Sequence, residues 1–234
     1  MLVLDGCVQP ATAPNTNAAA ARVLSRLGIR LVRASGAGCC GALSYHLGAQ
    51  EEGLDFMRRN IDAWWPEIEA GAEAIVMTAS GCGAMVAEYG HMLRNDPEYV
   101  EKAQRVSALC KDLSEILADE DLSPLQNVGQ GRRIAYHPPC TLQHAQGIRG
   151  LAERVLAGAG FELTPVPDAH LCCGSAGAYS LLERDISGRL LNNKIGALEG
   201  GRPEMIATAN IGCQLHLQTK AQVPVRHWVE LLDA

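Results

Sequence analysis

The chain has 234 residues, of which 47% are hydrophobic, 20% charged and 4% aromatic, and its formal net charge is −6. This length accommodates one large domain or two small ones, and the composition is that of a soluble globular protein. The acidic balance argues against a nucleic-acid partner, which needs a clustered basic face. Apolar runs are too short to span a bilayer, and the first residues lack a signal-peptide pattern. We therefore expect a cytoplasmic chain with no transmembrane segment.

Strands and helices are predicted to alternate along the first half. The run "LVLD" is a strand, residues 15–27 form a helix, "IRLVRA" is a second strand, residues 51–70 form a second helix, and "AEAIVMTA" is a buried strand. Cysteines lie just past the end of each strand. They are Cys7, the pair Cys39 and Cys40, and Cys82.

The second half repeats this order. Its strands "RRIAYH", "FELTPVP" and "EMIATA" lead to Cys140, to the pair Cys172 and Cys173, and to Cys213. A shift of 133 residues superimposes the first three cysteines of the two halves, and the fourth is offset by two residues. The chain is therefore predicted to be α/β, with two pseudo-symmetric Rossmann-like halves, parallel sheets and cysteines at the carboxyl ends of strands. The domains are expected at 1–128 and 129–234, each a cysteine-rich domain.

The converging cysteines indicate metal or redox chemistry. Nine cysteines in a reducing compartment are not expected to form disulfides, and ligands of parallel sheets collect at the carboxyl ends of strands. Four thiolates suit zinc or an iron–sulfur cluster. Zinc knuckles of the C-x2-C type are absent, and adjacent cysteines suit a polynuclear cluster better than one small ion. The alternative is that each cysteine pair packs in the core as small hydrophobic residues and has no metal or redox role.

The motifs resemble a known family. The pattern C-x31-CCG occurs in both halves, and "LDGCVQ", "GCCGAL", "YHPPC" and "LCCGSAG" are similar to the paired cysteine-rich CCG domains of glycolate oxidase (glycolate dehydrogenase) iron–sulfur subunits, over nearly the whole chain. Heterodisulfide reductase carries a related module. The resemblance implies one iron–sulfur cluster per half, of the [4Fe-4S] type. The implied ligands are Cys7, Cys39, Cys40 and Cys82, and Cys140, Cys172, Cys173 and Cys213.

The resemblance also implies a role. It is that of a non-catalytic electron-transfer subunit in a complex that oxidises glycolate or another 2-hydroxy acid, relaying electrons from a flavin subunit toward a quinone-type acceptor. Flavin-containing glycolate oxidase subunits are the expected partners, and the resemblance is also compatible with a separate ferredoxin-like module as a partner. Attachment at the inner face of the cell membrane through partners is also allowed.

The sequence departs from the family pattern in two places. It has no C-x2-C-x2-C-x3-C-P run, which is expected of a fragment or a split gene. The C-x-x-C ending of the heterodisulfide reductase form is missing, since Met85 and His216 stand there, which puts five-thiolate ligation in doubt. His216 is either a replacement ligand or an ordinary helix residue.

Two further residues and two alternative functions stay open. His137 either tunes a cluster or has a packing or capping role, and Cys110 is expected in the core at helical spacing with Leu109 and Leu113. One alternative function is thiol–disulfide redox chemistry, similar to that of heterodisulfide reductase, at the two cysteine pairs. The other is a docking module without a cluster.

Overall fold

The computed structural model describes residues 1–233. They divide into two compact units, one from Met1 to Ile116 and one that begins at Leu117. Each unit is built round its own sheet of four parallel strands. The boundary at 128/129 stays a prediction.

The first unit alternates strands and helices in the predicted order. Its elements are β1 (Leu2–Val3), α1 (Gln9–Thr12), α2 (Asn15–Arg26), β2 (Val32–Arg33), α3 (Ala42–His46), α4 (Gln50–Glu69), β3 (Ile75–Met77), α5 (Ser80–Ala87), α6 (Tyr89–Met92), α7 (Val100–Leu109), β4 (Cys110–Asp112) and α8 (Leu113–Ala118). The division between the units falls inside α8. The two long predicted helices, α2 and α4, begin and end within one residue of the prediction.

The second unit has the same order. Its elements are β5 (Arg133–His137), α9 (Leu151–Gly158), β6 (Glu162–Leu163), α10 (Tyr179–Leu182), α11 (Arg184–Glu199), β7 (Met205–Thr208), α12 (Ile211–Gln218), β8 (Val225–His227) and α13 (Trp228–Leu232), with a 3₁₀ turn at Ser123–Leu125 and a π-helical turn at Thr141–Ala145. None of the helices within residues 1–233 is both long and apolar enough to cross a membrane.

The two sheets have identical topology. Their strand orders are β2-β1-β3-β4 and β6-β5-β7-β8, so each strand of the second sheet takes the place of the strand four numbers earlier. Parallel strands joined by helices confirm the α/β class and the pseudo-symmetric halves. In each sheet the second strand in sequence lies on one side of the first strand, and the third strand lies on its other side. The crevice where such a switch occurs, at the carboxyl ends of the strands, is where this kind of sheet binds ligands.

Each core lies between its sheet and the amphipathic helices. In the first unit, Ile75 and Met77 of β3 pack with Ile61 and Trp64 of α4. In the second, a separate cluster joins strands to the apolar faces of α11 and α12, and it includes Ala135, Leu191, Leu198, Ile206 and Leu217. Apolar burial of this kind stabilises a fold by about 25 cal/mol per Å² of surface removed from water.

The helix expected around Cys110 is interrupted. Helix α7 ends at Leu109, and Cys110 begins the edge strand β4 beside β3. A capping box then starts α8, because the Asp112 carboxylate accepts a hydrogen bond from the Ser114 amide at 2.8 Å, and the Glu115 carboxylate accepts one from the Asp112 amide at 2.9 Å. The residues "DLSE" carry this signal, which is stronger than the leucine spacing that predicted one helix.

Asp112 makes the stability of the first unit depend on pH. Burial raises the pKa of its carboxyl to about 6, although hydrogen bonds from Ser114 oppose the shift. The raised pKa adds to the free energy of unfolding. This contribution is fully present below about pH 4 and is lost as the pH rises through about 6. Relative to wild type, Asp112→Asn should therefore gain about 3 kcal/mol of unfolding free energy between pH 4 and pH 7. Urea unfolding at both pH values measures this.

Asp121→Asn is the matched control. The exposed Asp121 carboxylate also accepts hydrogen bonds from a serine two residues on, at 3.0 Å, and these lower its pKa. This variant should not gain stability relative to wild type as the pH rises. An equal gain in both variants would contradict burial as the cause.

Candidate functional site

Four thiols of the first unit form a continuous row at the carboxyl edge of the sheet. Cys7 follows β1, the pair Cys39 and Cys40 follows β2, and Cys82 lies in the first turn of α5 after β3. Hydrogen bonds join Cys7 to Cys39, Cys39 to Cys40, and Cys40 to Cys82. The row passes from the exposed Cys7 to the buried Cys40. Residues 75 apart in sequence therefore share one site.

The second unit builds the same row from the corresponding residues. Cys140 follows β5, the pair Cys172 and Cys173 follows β6, and Cys213 lies in the first turn of α12. Hydrogen bonds join Cys140 to Cys172, Cys172 to Cys173, and Cys173 to Cys213. The structure thus brings all eight predicted residues together in two sets of four. Their role as ligands stays a prediction.

Backbone amides point at the sulfurs of both cysteine pairs. In each pair a cysteine sulfur accepts a hydrogen bond from the amide two residues further on: Gly41 to Cys39, Ala42 to Cys40, Gly174 to Cys172 and Ser175 to Cys173. The Gly174 nitrogen lies 3.3 Å from the Cys172 sulfur. Successive amides of this kind form a concave site for anions, which suits a thiolate-bound cluster.

The glycine of each Cys-Cys-Gly triplet is required on two grounds. Gly41 has φ +85° and Gly174 has φ +94°, in the left-handed region that side chains disfavour. A Cβ atom on Gly41 would lie 2.6 Å from the Gly53 carbonyl oxygen, and one on Gly174 would lie 2.5 Å from the Ser187 carbonyl oxygen. Gly53 and Ser187 are each the fourth residue of a long helix, α4 and α11. The triplet therefore packs its loop directly on a helix backbone.

A buried amide fixes the first cysteine pair. The Asn60 side chain in α4 accepts a hydrogen bond from the Gly38 amide and donates one to the Cys39 carbonyl, both at 2.8 Å. It also donates to the Tyr89 hydroxyl, which in turn donates to the Cys40 carbonyl at 2.9 Å. Sequence reasoning missed Asn60 and Tyr89. The signal was available for Asn60, a polar residue on the apolar face formed by Met57, Ile61 and Trp64.

A buried lysine takes the place of this amide in the second unit. Lys194 is the eleventh residue of α11, as Asn60 is of α4, and its side chain is only 2% exposed. Its ammonium donates to the carbonyls of Asp168 at 3.0 Å and Ala169 at 3.2 Å, in the loop that leads to Cys172. Sequence reasoning missed Lys194 too, although it lies among Leu191, Ile195 and Leu198 on the apolar face.

Three thiols of the first row, those of Cys7, Cys39 and Cys40, have raised pKa values. Burial and then Cys39 raise the pKa of Cys7, and the hydrogen bond with Cys40, followed by burial, raises the pKa of Cys39. A hydrogen bond from Cys39 lowers the pKa of Cys40, but the contact with Cys82 and burial outweigh it and raise the value to about 12. Close thiols cannot all ionise together. A cation is needed to hold this row as thiolates.

In the second row the pKa shifts alternate in direction along the four thiols. The hydrogen bond with Cys172 raises the pKa of Cys140 and also raises that of Cys173, whereas hydrogen bonds from Cys140 and Cys173 lower the pKa of Cys172 to about 2. A hydrogen bond from Cys173 lowers the pKa of Cys213 to about 5, and the imidazole of His137 acts in the same direction.

His216, His137 and Cys110 differ in whether they contact the sulfurs of the rows. His216 does not join the row, since its Nε2 atom lies 3.2 Å from the Ser187 hydroxyl. His137, in contrast, lies beside the sulfurs of Cys173 and Cys213. Cys110 is half-buried and its thiol donates to the Gly83 carbonyl at 3.6 Å, apart from the row.

Two α/β units, each with a parallel sheet and four contacting thiols beside backbone amides, define a duplicated cysteine-rich protein of the metal-binding, iron–sulfur type. The chain belongs to the CCG family of cysteine-rich domains, whose pattern matches residues 1–87 and 134–218. The matched segments contain all eight cysteines of the two rows. The resemblance drawn from the motifs is confirmed.

Named relatives agree with this family. The chain is 59% identical over 100% of its length to the glycolate oxidase iron-sulfur subunit of Escherichia coli, and 31% identical over 92% to the probable glycolate oxidase iron-sulfur subunit of Bacillus subtilis. It spans 57% and 48% of those two proteins. It is 30% identical to lactate utilization protein A of Geobacillus kaustophilus, covering 92% of this chain and 91% of that protein.

The contact between Gly41 and α4 can be tested separately from backbone strain. Gly41→Ala should lower the unfolding free energy of the first unit by about 3 kcal/mol, because a left-handed alanine costs about 1–2 kcal/mol and overpacking a further 1–3. Gly48 has φ +95° but no atom within 4 Å of its Cβ position, so Gly48→Ala should cost only the first part. Urea unfolding followed by circular dichroism measures both. Equal losses would show that the contact with α4 contributes nothing.

Proposed function

We propose that the chain is an electron-transfer subunit that binds one [4Fe-4S] cluster in each unit. The ligands would be Cys7, Cys39, Cys40 and Cys82 in the first unit, and Cys140, Cys172, Cys173 and Cys213 in the second. The observation that carries this proposal is the two rows of contacting thiols, each drawn from three strand ends.

The donor set suits such a cluster. Thiolates are the usual ligands of iron–sulfur clusters, and amides directed at the sulfurs offset the negative charge of a thiolate-bound group. When bound, a cluster would supply reversible one-electron transfer. The chain's own contribution is to bring four thiols together, to direct amides at them and to bury part of each row, since Cys40, Cys173 and Cys213 are all buried.

The names of the relatives support the physiological role. Two are called glycolate oxidase iron-sulfur subunits and one a lactate utilization protein, and glycolate and lactate are both 2-hydroxy acids. We propose that this chain serves a glycolate-oxidising complex, relaying electrons from a flavin-containing subunit toward a quinone-type acceptor. Oxidation of glycolate itself would occur on the flavin subunit.

Iron content tests the cluster proposal. Anaerobically reconstituted wild-type chain should hold roughly eight irons with matching sulfide, which is four for each cysteine-ligated cluster. Cys40→Ser and Cys173→Ser should each remove about half, because each breaks one row. Cys110→Ser is the matched control and should keep all the iron, since Cys110 lies outside both rows.

Three outcomes would contradict the cluster proposal. Zinc in place of iron would identify a different metal site. Iron near zero with free thiols would favour thiol–disulfide chemistry, for which the Gly174 amide, 3.3 Å from the Cys172 sulfur, is the supporting observation. Unchanged iron in both Cys40→Ser and Cys173→Ser would exclude the rows as the ligands.

We further propose that the second cluster has the higher reduction potential. The second unit has a buried ammonium, that of Lys194, where the first has the neutral amide of Asn60. A nearby positive charge favours the reduced, more negative state of a cluster, and it acts strongly where water is excluded. Electrons would then have the lower free energy on the second cluster.

Lys194→Asn tests this order of potentials. The variant keeps a hydrogen-bonding side chain like that of the first unit but removes the charge, so the midpoint potential of the second cluster should fall toward that of the first. Lys220→Asn removes an exposed lysine that donates to Asn192 at 2.7 Å, and it should leave both potentials nearly unchanged. A redox titration followed by electron paramagnetic resonance measures both variants. Equal shifts would contradict a specific effect of Lys194.

A further inference from the structure

A buried imidazole lies at the end of the second row. His137 is the last residue of β5, three residues before Cys140, and its side chain is 1% exposed. Neither ring nitrogen makes a hydrogen bond of normal geometry within residues 1–233. Leaving buried polar atoms unsatisfied costs free energy, and native structures rarely tolerate it without a reason. The polar neighbours of the ring are the sulfurs of Cys173 and Cys213, and it makes no well-formed hydrogen bond to either.

The ring faces two sulfurs of the row. A nitrogen of His137 and the sulfurs of Cys173 and Cys213 all lie within 4.8 Å of one another, and all three residues are buried. Two ligands of one tetrahedral metal ion are about 3.5 Å apart, given metal–ligand bonds of 2.0–2.3 Å. A metal group held at this end of the row would therefore face all three side chains.

The first unit has nothing equivalent. The shift of 133 residues that superimposes the cysteines places Leu4 opposite His137. Leu4 is 3% exposed and packs in the hydrophobic core. An apolar residue therefore satisfies the fold at this position, and the fold alone does not require an imidazole.

We propose that a ring nitrogen of His137 binds one iron of the group held by the second unit, beside the sulfurs of Cys173 and Cys213. This inference rests on the proposed function. The second unit then offers five donors, four thiolates and one imidazole, and the first unit offers four thiolates.

Two other roles explain less. Pure packing leaves both ring nitrogens unsatisfied in a buried site, and Leu4 shows that packing does not need them. A hydrogen bond from the ring to one sulfur would involve only Cys173 or only Cys213. Such a bond to Cys213 would occupy one ring nitrogen, but neither nitrogen has a hydrogen-bond partner of normal geometry in the described part of the chain.

Nitrogen hyperfine coupling tests the bond directly. The 234-residue chain labelled with ¹⁵N-histidine, loaded with iron and sulfide and then reduced, should show in pulsed electron paramagnetic resonance a strong coupling to one histidine nitrogen. His137→Leu, which introduces the residue of the first unit, should abolish that coupling. His91→Gln is the control, since His91 lies in the first unit and contacts Arg94, and it should keep the coupling.

The reduction potential gives a second readout and guards against misfolding. His137→Cys should keep the iron and sulfide content of wild type and lower the potential of the second cluster, because a thiolate adds negative charge where the imidazole is neutral. It should also remove the nitrogen coupling. Circular dichroism of each variant checks that the fold is retained.

The outcomes separate this inference from the proposed function. A chain with no iron and sulfide in the second unit overturns both. A loaded second unit with only the weak coupling of a hydrogen-bonded nitrogen, or with coupling that survives His137→Leu, overturns the ligand role alone. An unchanged potential in a folded, loaded His137→Cys protein also overturns it.

Discussion

Both sites depend on one close contact, between the glycine after each cysteine pair and a carbonyl oxygen in the first turn of the next long helix. Gly41 meets Gly53, and Gly174 meets Ser187, at a separation that leaves no room for a side chain. The left-handed turn at these glycines directs successive amides toward the sulfurs. The contact therefore positions the thiols and their hydrogen-bond donors at once, which explains why the triplet occurs twice.

Much of this arrangement is encoded locally and was predictable. Apolar runs followed by cysteines predicted three parallel strands in each half and one cysteine set at each sheet edge, and helical periodicity located α2 and α4. The fourth strands, β4 and β8, were missed because "CKD" and "VRH" are polar three-residue segments without an apolar run. They form by pairing with β3 and β7, and this pairing is a tertiary effect that local sequence does not reveal.

The two copies have kept their sulfurs and changed the residues around them. Identical strand orders and equivalent cysteines persist, while a leucine corresponds to a histidine and an asparagine corresponds to a lysine across the duplication. The position of Asn60 and Lys194 on apolar helix faces marked them as unusual, but their contact with the cysteine loops depends on how the helix packs. Such contacts could not be read from spacing. The second site is the more polar and the more highly charged of the two.

The distance along the chain between the thiols has a consequence for assembly. Cys7 and Cys82 follow the adjacent strands β1 and β3, and Cys140 and Cys213 follow β5 and β7, with more than 70 residues between the members of each pair. Loops of this length close slowly and only when non-local strand pairing forms. A newly synthesised segment therefore cannot gather these thiols, in contrast to a short zinc finger that folds round its metal. Each sheet must therefore be complete before its four thiols can form a row.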